Sequence, residues 1–194
     1  LKNAKREKKV FLFLLAFFFY IDGVYTIIDM ATAYGSALGL DPTGLLLALL
    51  VTQIVAFPFA ILFGRLAQKY SSEKLIAVCI AAYFGIAVFA VFLRSQWQFW
   101  LLAVLVGMFQ GGIQALSRSY LGKIIPAEHS GEYYGLMDIC GKGASFLGVT
   151  LVSVVSQATA GMRPVIFGLQ LQNENLAVGS LVIIFAIGFL LFCK

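Results

Sequence analysis

Charge is scarce in this chain. Only 12% of its 194 residues are Asp, Glu, Lys or Arg, against about 25% in an ordinary soluble domain. That shortfall excludes the usual solvated globular surface. Histidine is nearly missing: His129 stands alone, in a polar stretch beside Glu128 and Ser130. There is no HExxH, no CxxC and no phosphate-binding glycine loop. Metalloprotease, thiol-redox and nucleotide-hydrolysis chemistry therefore lack their residues. The cysteines, Cys79, Cys140 and Cys193, lie far apart in apolar surroundings. They read as small apolar residues, not as a disulfide framework or a metal site. The Gly143-Ala144-Ser145 triplet invites a serine-protease reading, but no histidine lies at membrane depth to activate the serine. An intramembrane enzyme is disfavoured, and neither cofactor nor metal is expected.

What the chain has instead is apolar residues, 61% of the total, with a mean hydropathy of +0.93. They are spread along the whole sequence, which predicts an all-α, polytopic membrane protein whose first partner is the lipid bilayer. The expected fold is a bundle of six transmembrane helices at 10–34, 43–63, 75–93, 99–121, 132–158 and 176–193, preceded by a basic leader or linker at 1–9. Because the chain begins with Leu1 and not Met, it is expected to be part of a longer or processed protein.

The connections carry the breakers and the charge. Residues 35–42 form a Gly/Pro turn, and 64–74 a short basic loop. Trp97 and Trp100 flank the third turn as interfacial aromatics. Residues 123–131 make a loop broken by Pro126, and 159–175 a polar loop with Arg163, Pro164 and Glu174. Under this topology eleven Lys and Arg fall on one side and only Arg94 and Arg163 on the other. Such a bias places both ends of the chain on the cytoplasmic side. The net charge of +5 therefore reads as membrane orientation, and nucleic acid is not an expected partner.

The stretch at 11–34 organises the rest. It carries Asp22 and Asp29, seven residues apart and so on roughly one helix face. Acids inside a membrane span are costly and normally face a bundle interior or a wet cavity. A rise of about 1.5 Å per residue places Asp22, Gln53, Gln110 and Lys142 about 15–18 Å into a core about 30 Å thick. Asp22 and Lys142 are expected to line a translocation path, binding a charged solute or passing protons. The structural alternative pairs Lys142 with Asp138 one turn away, or with Asp22 across the bundle. Gln53, Gln110 and Gln114 either bond the solute or tie helices together. Asp29 is placed nearer the outer rim, and Arg118 is read as an inner-surface anchor. Pro58 is expected to kink the second span. Gly107 and Gly111 have a close-packing spacing. The spans repeat the order polar, polar, apolar, as two inverted three-helix repeats around a central site would.

Several of these stretches look familiar as a family. FFFYIDGVYTIIDMATAYG (17–35), LLVTQIVAFP (49–58), GMFQGGIQALSRSYLGKIIP (107–126) and KGASFLG (142–148) resemble the vacuole-effluxer, autophagy-related branch of the major facilitator superfamily and its bacterial relatives. The 64–71 stretch resembles the superfamily's G-x-L-A-D-R-x-G loop through Gly64, Leu66 and Ala67. Arg65 fills its variable position, Lys69 replaces an arginine, Gln68 replaces the acid and Ser71 the second glycine. The resemblance implies the carboxyl-terminal half of a twelve-helix fold, with an amino-terminal six-helix half in the same chain. It also implies that the third helix of each triplet faces lipid. It implies secondary transport of a small solute, with amino acids as cargo for the vacuolar members. The membrane would be the plasma membrane in a bacterium and a vacuolar or lysosomal one in a eukaryote. A six-helix channel and a self-associating half-transporter are the competing readings.

Overall fold

The computed structural model describes residues 2–144, 146–160, 165–166, 169–170 and 173–193. Ser145, Arg163, Pro164 and Lys194 lie outside them, as do the side chains of Lys2, Lys5 and Arg6. The order is α1 Lys2–Ala37, α2 Pro42–Lys69, α3 Ser72–Val91, α4 Gln96–Ile124, a 3-10 turn Ala127–His129, α5 Ser130–Gly143 and α6 Phe146–Ala158. A two-residue hairpin follows, β1 Val165–Ile166 paired antiparallel with β2 Leu169–Gln170. Then come α7 Asn173–Gly179 and α8 Leu181–Phe192. Among the described residues six helical stretches are long and apolar enough to cross a membrane.

Three of the differences from the sequence reading change how the chain is divided into helices and loops. The basic leader is not separate: α1 starts at Lys2. Residues 64–69 are not a loop but the last turns of α2. Arg, Leu, Ala, Gln and Lys are good helix formers, and only the Ser71-Ser72 pair supplies a stop. The Tyr70 amide closes the helix on the Leu66 carbonyl at 2.8 Å. The fifth span is not one helix either. It divides into α5 and α6 at Ala144, whose backbone is extended (φ −65°, ψ 158°). Gly141 and Gly143 hold a helix weakly, and the Ala144 amide ends α5 on the Cys140 carbonyl at 2.9 Å. Pro58 lies inside α2, which continues through it.

Other ends follow local rules. Pro42 opens α2, and the Asp41 carboxylate accepts from the Gly44 amide at 2.7 Å. Ser95 and Gln98 form a reciprocal cap at the start of α4.

Small residues bring the helices together, as membrane packing requires. The Gly107/Gly111 pair seats α4 on α2. A Cβ at Gly107 would lie 2.6 Å from the Thr52 carbonyl oxygen, and one at Gly111 2.9 Å from that of Ala56. Gly188 of α8 lies against the Tyr20 backbone, and the Phe185 ring covers Gly23. Tyr20, Tyr83, Phe99 and Phe185 are the largest fully buried side chains. Tyr20 donates to Ser117 Oγ at 2.7 Å, because the Ser117 proton goes to the Ile113 carbonyl at 2.6 Å.

The two ends of the bundle are held differently. At the end with the chain start, Lys9 bridges to Glu73 at 2.9 Å and Tyr120 donates to the same carboxylate at 2.7 Å. At the other end Asn175 donates to Tyr34 and to the Val91 carbonyl, both at 2.8 Å. Coverage is uneven too. Within this chain α3 and the last span are each 44% buried, but α2 is only 22% and the broken fifth span 18%. An apolar stripe along α2, Leu46, Leu50, Ile54, Phe57 and Ile61, is left exposed.

Candidate functional site

On α1, Phe17, Ile21 and Tyr25 recur every four residues and so share one face. Gln114 and Arg118 do the same on α4. Met137, Asp138, Gly141 and Lys142 form a stripe on α5. These three faces enclose an open cavity of about 370 Å³. Its floor is aromatic and aliphatic; its rim carries one acid, two bases and an amide. Arg118 Nη2 bonds Asp138 Oδ1 at 2.5 Å, and the two side chains are 60% and 47% exposed. Lys142 is exposed at the same cavity. The Gln110 carbonyl oxygen, one turn from Gln114, is buried with no hydrogen-bond partner among the described residues.

The expected partner of Asp138 is therefore corrected. Asp138 is bridged to Arg118 on α4, not to Lys142 one turn along its own helix. A planar, preorganised guanidinium outcompetes a flexible ammonium for a carboxylate within reach. Arg118 is likewise part of the cavity and not merely an anchor. Its four-residue spacing from Gln114, itself four from Gln110, was the signal for this.

Asp22 is placed elsewhere. It is fully buried, one residue past the cavity-lining Ile21 and so about 100° around the helix. It faces the seam between α1 and α6 together with Thr26. A Cβ at Gly148 would lie 2.9 Å from Asp22 Oδ2 and 2.1 Å from Thr26 Oγ1. Gly148 is the third residue of α6, so the carboxyl group lies beside the first turn of that helix. The expectation that Asp22 and Lys142 meet in one chamber is not met: one is sealed in packing, the other faces open space. The sequence marks Gly148 only as part of the small-residue stretch at 142–148 and gives no sign of Thr26.

The remaining candidates divide. Asp29 is exposed, one turn past Tyr25 on the cavity stripe. Gln53 is exposed on α2, outside the cavity. Pro58 is exposed too, with Gly64, Arg65 and Lys69 beyond it; Leu66 and Ala67 are half-buried. Among the described residues no three His, Cys, Asp or Glu side chains gather as a metal site.

Comparison with known proteins fits this arrangement. Residues 1–187 match the family described as vacuole effluxer Atg22 like. The uncharacterized MFS-type transporter YxiO of Bacillus subtilis is 45% identical over 97% of this chain, which spans 41% of that protein. Autophagy-related protein 22 of Saccharomyces cerevisiae is 30% identical over 84% of this chain and 33% of its own length. Autophagy-related protein 22-1 of Aspergillus fumigatus is 24% identical over 84% of this chain and 29% of its own. The chain thus spans about two fifths or less of these relatives. With its six apolar spans and this match along nearly its whole length, the chain belongs to the Atg22-like branch of the major facilitator superfamily of membrane transporters.

Proposed function

We propose that this chain is the carboxyl-terminal half of a secondary transporter that moves a small zwitterionic solute, an amino acid by class, by alternating access. The observation that carries the reading is the cavity between α1, α4 and α5. It holds Arg118, Asp138 and Lys142 around about 370 Å³, within the size range of small-ligand sites. An amino acid presents an ammonium to Asp138 and a carboxylate to Arg118 or Lys142. Gln114 orients it by hydrogen bonds, and Phe17, Ile21 and Tyr25 provide an apolar wall. Coupling of uptake to a proton gradient is part of this proposal.

The poorly covered α2 and α5–α6 faces support a second, amino-terminal half packed against this one. The basic residues at the Lys9 end support a cytoplasmic placement of that end. Asp22 takes no part in solute contact on this reading; it fixes the first turn of α6 against α1.

The test is uptake of labelled amino acids by proteoliposomes holding the full-length protein. Saturable, gradient-driven uptake that Asp138→Asn abolishes supports the reading. Ohmic ion current in place of saturable uptake, or normal uptake by Arg118→Ala and Asp138→Asn, overturns it.

A further inference from the structure

A larger cavity than the one between α1, α4 and α5 lies elsewhere in the bundle. A groove of about 730 Å³ opens between the beginning of α1, the beginning of α3 and the end of α8. Its mouth holds Lys8, Lys9 and Lys74 against the one acid Glu73. Glu73 is already taken by Lys9 at 2.9 Å and by Tyr120 at 2.7 Å. Among the described residues neither Lys8 nor Lys74 has an ion-pair partner. The mouth therefore carries surplus positive charge.

Below the mouth the walls are apolar. Leu12, Phe13, Ala77, Leu191 and Phe192 line them, and the Phe13, Tyr120 and Phe192 rings pack edge-on at 4.9–6.3 Å. The groove also adjoins apolar side chains that face outward. Val78, next to Ala77, and Leu190, next to Leu191, are exposed. The lysines stand where the apolar spans end: one span begins at Glu7 and another at Ser72. Cations at headgroup level above an apolar slot match one kind of ligand, an anion carrying hydrocarbon.

We propose that this groove is a binding site for an anionic glycerophospholipid. The phosphate sits between Lys8 and Lys74, and one acyl chain runs along Leu12, Ala77 and Leu191. Lys9 is held back by Glu73 and Tyr120, so it shapes the mouth and does not grip the headgroup. The site is independent of the solute cavity, which shares none of these residues.

Native mass spectrometry and thermal unfolding of the full-length protein in detergent test this, with phosphatidylglycerol, phosphatidylcholine and glycerol phosphate as separate additions. Phosphatidylglycerol is expected to give retained adducts and a raised midpoint, and phosphatidylcholine neither. Each of Lys8→Gln and Lys74→Gln should weaken retention about fivefold. Lys69→Gln, on the same basic side but outside the groove, should leave it unchanged. Ala77→Phe, which keeps every lysine but fills the slot, should also lose the adduct. Equal retention of both lipids overturns the proposal, and so does an equal loss in Lys69→Gln. Retained adducts in Ala77→Phe overturn the acyl-chain seat. Stabilisation by glycerol phosphate alone overturns the lipid as ligand in favour of a soluble anion.

Discussion

Asp22 and Asp138 are both acids on membrane-spanning helices, and both help to shape the region between α1 and α5–α6. Their surroundings are opposite. Asp22 is fully buried in a seam closed by Gly148. Asp138 is 47% exposed on a cavity wall and bridged to Arg118. For Asp22 the deciding feature is rotation about α1. Ile21 lines the cavity, and one residue further the helix has turned about 100° into the α6 contact. Depth along α1 therefore does not decide which side chains face the cavity; helix face does.

The sharpest way to break the comparison is to fill the seam. Gly148→Val places atoms inside the Thr26 hydroxyl, where even a Cβ would come within 2.1 Å. Overpacking of this kind costs about 1–3 kcal/mol, and more where backbone and a buried acid must move together. Full-length protein carrying it should show the largest drop in unfolding midpoint of any substitution considered. Gly143→Ala is the contrast. No atom lies within 4 Å of a Cβ there, so its midpoint should hold. If Gly148→Val is as stable as Gly143→Ala, the seam is not closed.

Asp22→Asn comes next. It keeps the shape but puts an amide where a fully buried carboxyl sits. A mismatched buried polar group costs about 1–3 kcal/mol, so a loss of about 1–2 kcal/mol is expected. Solute affinity, read by the midpoint shift on adding amino acids, should stay as it was. A lost solute response with intact stability would move Asp22 into the path after all.

Legibility in the sequence followed the same division. Six spans, their polar and apolar order and the Gly107/Gly111 seam can be read from composition and spacing, because burial in lipid leaves few alternatives for a backbone. The break at Ala144 was harder. Gly141 and Gly143 look like packing glycines, and whether a glycine packs or unwinds depends on what lies opposite. Arg118 was hidden by its nearness to the span end, where an arginine usually serves as an anchor. Its place in the cavity shows only when α5 presents Asp138 to it. Asp22 was found by its oddity, but its direction was set by Gly148, more than a hundred residues away. Groups that answer to a distant partner leave no local trace.

The cavity side of the comparison should respond to charge in function and hardly in stability. Arg118→Ala breaks a bridge whose partners are 60% and 47% exposed. Exposed pairs contribute about 0.2–1 kcal/mol, so the midpoint should fall by little. Uptake should fall at least tenfold. Exchanging the charges, Arg118→Asp with Asp138→Arg, should restore the midpoint but not the uptake, because the solute then meets each charge on the wrong helix. Restored uptake would reduce the pair to a structural bridge.

Gln53 should give the smallest effect. Its expected membrane depth is close to that of Asp22, but it stands exposed on α2, among Leu50, Ile54 and Phe57. Gln53→Leu breaks no hydrogen bond among the described residues, so stability should change by no more than about 0.5 kcal/mol. If the α2 face only meets apolar surface of the remaining part of the protein, uptake should also stay within twofold. A large fall in uptake with an unchanged midpoint would place Gln53 on a solute path built jointly with that part. The wet region would then extend from the Arg118–Asp138 wall to α2, leaving the Asp22 seam as the dry side of a wider chamber.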